Sequence, residues 1–178
     1  MNPLLVLSLI ASIAIVSSAG EVRNAEDPRV VKLYGNRANF SALTHAKKIE
    51  AFRIKHVMDG SRDQGRKRIR GYPILSGPVA VNKKLSGELA QLLQRKSTYD
   101  FARDKGCEMT PGVAIVFKHQ QIQVELLLCF ECDQLEIYVG NKNTGYEDFD
   151  PARPQLLKIV KQIFPKDPTI QALKSKPQ

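Results

Sequence analysis

The 178-residue chain has no tryptophan, only three histidines and only three cysteines. Each scarcity removes a class of chemistry. His45, His56 and His119 are isolated, with no Ser/His/Asp or Cys/His pattern around them, so no nucleophile–base pair is legible. Three cysteines cannot supply the paired Cys-x-x-Cys ligands of a structural zinc site, and no histidines stand at the spacing that would complete one. No apolar run reaches the ~20 residues that cross a bilayer as a helix. Internal repeats and low-complexity tracts are also absent. No cofactor and no catalytic residue are expected, and enzymatic activity is not the favoured expectation.

The longest apolar run, Leu4 to Val16, suits the core of a secretion signal. Ser17-Ser18-Ala19 supplies the small residues a signal peptidase requires, so cleavage is expected after Ala19. Against this, Met1-Asn2-Pro3 carries no Lys or Arg, and an uncleaved anchor or a buried helix remains an alternative. No cysteine follows the run, which removes the lipid-anchored route. The reading is therefore a signal over 1–19, an extended arm over 20–45 with one short strand near Val30–Leu33, and a single domain over 46–178. The mature chain is expected to be periplasmic or secreted, without a transmembrane segment.

The net charge of +9 is segregated. Eleven Lys and Arg face three acids between Lys47 and Lys84, whereas seven acids face the single Lys142 between Glu125 and Asp150. Such separation steers anionic partners, unless the two regions meet in the fold and neutralise each other. The densest basic piece, Gly60 to Gly71, has no apolar period and reads as a loop between strands. Its Arg62, Arg66, Lys67, Arg68 and Arg70 are the candidate anion-binding residues. No aromatics are interleaved among them, so nucleic acid is not the expected partner.

Apolar periodicity organises the rest. Ile49–Val57 alternates as a strand, and Tyr72–Leu75 with Val79–Val81 read as strand pieces that Pro73 and Pro78 confine to an edge or a bulge. Ser86 is placed as the cap of a helix to about Arg95, with Leu89, Leu92 and Leu93 on one face. Asp150-Pro151 is read as the start of a second helix burying Leu156, Leu157, Val160, Ile163 and Phe164, and Asp167-Pro168 as a last turn. Gly112–Lys118 and Gln121–Cys132 form a hairpin turning at His119-Gln120, with Phe117 opposite Ile122, Ile115 opposite Val124 and Val113 opposite Leu126. A four-residue loop from Lys118 to Gln121 would keep that register. The expected fold is α+β: an antiparallel sheet of four to five strands with two main helices, 86–95 and 152–164, on one face.

Extending the hairpin register outward sets Cys107 opposite Cys132, within disulfide range. Cys107–Cys129 and Cys129–Cys132 are the alternatives. In a regular strand the last pair would lie ~10 Å apart on opposite faces. Thiol exchange or metal binding at Cys107, Cys129 and Cys132 is the rival to a structural bridge plus one buried thiol. Glu131 and Asp133 beside the Cys-x-x-Cys spacing raise a thiol pKa, the wrong direction for a nucleophile. Glu147, Asp148 and Asp150 are a possible cation cluster without the spacing of a calcium loop.

The pieces Pro111–Phe117, Leu127–Asp133 (LLCFECD), Asp148–Arg153 (DFDPAR) and Phe164–Asp167 resemble an uncharacterised family of exported bacterial proteins. That resemblance implies an extracytoplasmic setting and carries no catalytic residue. The expected role is a non-enzymatic binding or envelope-associated module for an anionic envelope component or another exported protein.

Overall fold

The computed structural model describes residues 26–56, 65–103 and 105–175; the expected signal over 1–19 and Arg62 lie outside them. Seven strands form one antiparallel sheet: β1 (Lys48–Ile54), β2 (Arg68–Ile69), β3 (Tyr72–Ala80), β4 (Val113–His119), β5 (Ile122–Cys129), β6 (Gln134–Val139) and β7 (Lys142–Asp148). Their order across the sheet is β2-β3-β1-β4-β5-β6-β7. The α+β class and the antiparallel sheet match expectation, but the strand count exceeds four to five. The additional strands β2 and β7 are polar (RI and KNTGYED), so neither shows an apolar alternation.

Strand parity separates two faces. Ala51, Ile115, Leu126 and Ile137 form one continuous cross-strand row, and all four are fully buried. Val113, Phe117, Val124, Leu128 and Leu135 share their face, and the main core lies between this face and the helices. The hairpin keeps the expected apolar face with a pairing shifted by two residues. Phe117 faces Val124, Ile115 faces Leu126 and Val113 faces Leu128, and the turn is Gln120-Gln121 rather than His119-Gln120. The shift lets Lys118 pair with Gln123 and His119 with Ile122, which lengthens the ladder. Gln120 takes the left-handed φ of 52° that the tight turn needs.

Among the described residues five α-helices accompany the sheet: α1 (Pro28–Leu33), α2 (Arg37–His45), α3 (Lys83–Leu93), α4 (Arg153–Ile163) and α5 (Pro168–Ala172). Within the segment 20–45, expected as an extended arm with a strand at 30–33, the described residues 26–45 instead form two helices. Asp27 caps α1 ahead of Pro28, and Asn36 caps α2 by accepting from the Asn39 N–H. α2 rests directly on β4 and β5 through buried Phe40 and Leu43, while α1 leans on β7. A side chain at Gly145 of β7 would sit 2.5 Å from the Leu33 carbonyl oxygen, so α1 can approach only because that residue is glycine. The two expected helices are present with different caps. Asn82, not Ser86, receives the Leu85 N–H of α3, because the helix begins one turn earlier than Ser86. Asp150 opens a short 3-10 turn, Asp150–Ala152, and α4 starts after it. Asp167 caps α5 as expected, accepting from Ile170 N at 2.9 Å.

The opposite face carries a smaller apolar cluster of Ile54, Ala114 and Leu127, flanked by Phe52, Ile69, Tyr72, Ile74, Met109 and Tyr138. The β2–β3 hairpin is what covers it. In a flat sheet β2 would lie four strand spacings from β5, ~19 Å. Yet the Arg70 side chain at the hairpin tip reaches Glu125 of β5, so the hairpin folds over the sheet. Pro78 follows Gly77 in β3, where the pairing with β1 is irregular, as the two prolines implied. Replacing Leu126 with alanine empties the centre of the buried row. We expect it to lower the unfolding free energy by about 3 kcal/mol in urea titrations, within the usual range for a buried leucine.

Candidate functional site

Cys107 and Cys132 form a disulfide with Cα atoms 6.1 Å apart. The expected pair is the one formed, but not by the expected route. Residues 107–112 are not a strand, and Cys107 instead meets the 130–133 turn joining β5 to β6. Lys105 Nζ donates to the Cys132 carbonyl at 2.8 Å, holding the approaching segment to that turn. Cys129, the last residue of β5, is the free cysteine and has no exposure. Its Sγ lies 3.6 Å from Thr110 Oγ1, and the same hydroxyl donates to Glu131 at 3.0 Å. With Cys107 and Cys132 bonded to each other and Cys129 sealed, no thiolate faces solvent here. Among the described residues no group of three His, Cys, Asp or Glu side chains is placed to hold a metal ion.

Beneath the bridge is an ion network. Arg153 donates to the Asp133 carboxylate, to the Phe130 carbonyl and, through Nε, to the Lys174 carbonyl at 3.0 Å. Burial raises the Asp133 pKa against the pull of Arg153. Lys105 is hydrogen-bonded to Asp150 and lies 3.8 Å from Asp148. The lysine ammonium thus stands where the acidic stretch suggested a cation. Asp148 is 2% exposed, and neither of its carboxylate oxygens accepts a hydrogen bond. Burial raises its pKa against the opposing charge of Lys105.

The candidate anion-binding residues are divided by the fold. Arg68 and Ile69 pair with Pro73 and Tyr72, and Arg70-Gly71 form the turn with φ values of 51° and 87°. Arg70 is structural as well as charged. Its Nε donates to Glu125 at 2.6 Å, its Nη2 to the Gly140 carbonyl, and its guanidinium lies 4.7 Å from the centre of the Tyr138 ring. Arg66 donates to the Ile74 carbonyl at 3.3 Å. Arg68 donates to the Gly71 carbonyl at 2.6 Å, and neither it nor Lys67 has an acidic partner among the described residues. Both side chains are exposed.

Beside the hairpin opens a crevice of about 360 Å³, lined by Phe52, Arg68, Ile69, Arg70, Val116, Lys118, Gln123, Glu125 and Asn141. Its walls hold three cations against one carboxylate. A larger crevice of about 810 Å³ lies near the end of α3, but there Glu26 and Asp27 balance Arg95 and Lys96. Lys118 and the crevice were not singled out in the sequence. The only signal was the position of Lys118 on the polar face of β4, where Glu50 accepts from it at 2.8 Å. That contact and the one from Lys48 lower the Glu50 pKa.

No protein-family model, no curated protein and no solved structure matches this chain.

Two outcomes test the disulfide corner. Reducing Cys107–Cys132, which closes a separation of 25 residues, should cost roughly 3 kcal/mol of stability, whereas Cys129→Ser should leave the bridge intact by thiol counting. Asp148→Asn should raise the unfolding midpoint by a few degrees at pH 7. Below the ordinary carboxylate value of 3.8 the aspartate is protonated in both states and the gain should vanish. As the pH rises through the raised folded value, the native protein loses stability that the variant keeps.

Proposed function

We propose that this is an exported, disulfide-closed, non-enzymatic binding protein whose partner is an anionic component of the cell envelope. The observation that carries the reading is the pair Lys67 and Arg68. They stand exposed at the β2–β3 hairpin without a carboxylate partner among the described residues, beside a crevice with excess positive charge. Export is supported by the apolar run over 4–16 with its Ser-Ser-Ala site, and by a disulfide, which persists in oxidising compartments. The resemblance of residues 107–173 to exported bacterial proteins supports the same setting. Thiol or metal chemistry at Cys129 and Cys132 is the weaker reading, because it requires an accessible thiolate.

The test is co-sedimentation with vesicles of phosphatidylglycerol against vesicles of phosphatidylcholine. Each basic residue at an anionic surface contributes about 1 kcal/mol. Lys67→Gln with Arg68→Gln should therefore weaken binding to the anionic vesicles by about tenfold or more, and raised salt should weaken the native protein likewise. Cys129→Ser should bind as the native chain does. Binding that survives the double substitution unchanged would remove the hairpin from the function.

A further inference from the structure

The geometry points to a phosphorylated polyol as the ligand of the crevice beside the β2–β3 hairpin. This inference rests on the anionic-partner reading and names the chemistry that the site would select. Two carboxylates stand in unexpected places. Glu50, Val116, Glu125 and Tyr138 form one cross-strand row on the face opposite the main core. Glu50 and Glu125 are each only 7% exposed. Burying charge in that way is weak as a source of stability, since an apolar pair would serve as well or better.

What the two carboxylates do is hold cationic heads in place. Glu50 binds Lys48 and Lys118, each at 2.8 Å, and Glu125 binds Arg70 at 2.6 Å while accepting from Gln123. Both therefore have their oxygens occupied, and the cations beside them are fixed before any ligand arrives. Preorganisation of this kind lowers the ordering cost of binding. Arg68 completes the set. Its guanidinium spends one donor on the Gly71 carbonyl and has no carboxylate partner among the described residues.

Arg68 comes from β2 and Lys118 from β4, and both line the crevice. A group bound by cations from two separate elements needs several oxygens carrying shared charge. Phosphoryl satisfies this, and arginine is the side chain best matched to it. The rest of the lining suits a hydroxylated carbon skeleton. Phe52, Ile69 and Val116 offer an apolar surface, and the side-chain amides of Gln123 and Asn141 offer donors and acceptors for hydroxyl groups. At about 360 Å³ the crevice is near the lower end of small-molecule sites, room for one small phosphorylated unit. That unit is either a free phosphate ester or one repeat of an envelope polymer.

The experiment is calorimetric titration of the folded, exported protein with glycerol 3-phosphate, glycerol and inorganic phosphate, alongside a poly(glycerol phosphate) polymer. Glycerol 3-phosphate should bind at least tenfold more tightly than inorganic phosphate, with no heat from glycerol. Arg68→Gln and Lys118→Gln should each weaken it at least tenfold, and Lys67→Gln, outside the crevice, should not. Competition between the polymer and the monomer would assign the polymer as the source. Binding of the monomer alone would assign a soluble ester. Equal affinity for inorganic phosphate, or insensitivity to both substitutions, would overturn the ligand assignment. Vesicle binding that depends on Lys67 and Arg68 with a silent glycerol 3-phosphate titration would overturn it too, while leaving the envelope-binding function standing. Thermal unfolding of each variant confirms that the fold is retained.

Discussion

The structure depends on one cross-strand row, Ala51–Ile115–Leu126–Ile137, which runs through four adjacent strands without a break and is sealed from water. Because side chains alternate along a strand, a slip of one residue at any of these ladders would transfer a whole set of apolar groups to the other face. The row therefore fixes both faces at once. On its own side it gives α2 an apolar surface on which to rest. On the other side it sets Glu50, Glu125 and Tyr138 in register, one residue away along each strand. The positions of the charged groups follow from the register of the apolar ones.

The helix-bearing face was largely legible in the sequence, and the other was not. Alternation in β4 and β5 and the leucine spacing of α3 and α4 are strong signals, because those elements bury one side completely. The register of the central hairpin was misplaced by two residues because parity is blind to such a shift. Moving by two exchanges one apolar partner for another on the same face and breaks no rule of pattern. The Cys107–Cys132 pairing was reached through an extended ladder that does not exist; the bridge closes onto a turn instead. Asp-Pro marks three places in the chain, at 27–28, 150–151 and 167–168. Only the later two were read as helix starts, because the first stands in a polar segment whose buried residues, Val30, Leu33, Phe40 and Leu43, are spread across two short helices.

The basic stretch shows the limit most clearly. Five cations in nine residues look equivalent in a sequence, and charge counting treats them alike. The described part of the fold gives them different environments. Arg70 has left-handed backbone and a carboxylate at 2.6 Å, whereas Lys67 has neither. What separates them is contact with β5 and with the β6–β7 turn, far away along the chain. Long-range pairing of that sort leaves no local trace. β2 is hidden for a related reason: two residues, one of them charged, display no period, and their pairing depends on the Arg70-Gly71 turn.

The charge segregation in the sequence is resolved in part by the fold, and in a specific direction. The acidic and basic regions do meet, at Arg70 with Glu125. That contact consumes one cation and one acid, and it pins the hairpin across the sheet face opposite the main core. A salt bridge at this position thus acts as a positioning device more than as a store of stability, since buried pairs return little net energy. Glu50 does the same for Lys118 from the neighbouring side of Val116. Glu125 answers Arg70 and Glu50 is shared between Lys48 and Lys118, which leaves Arg68 at the crevice with no acid to compete for it among the described residues. The interactions that quiet most of the basic stretch are therefore the ones that give the remainder a defined place and direction.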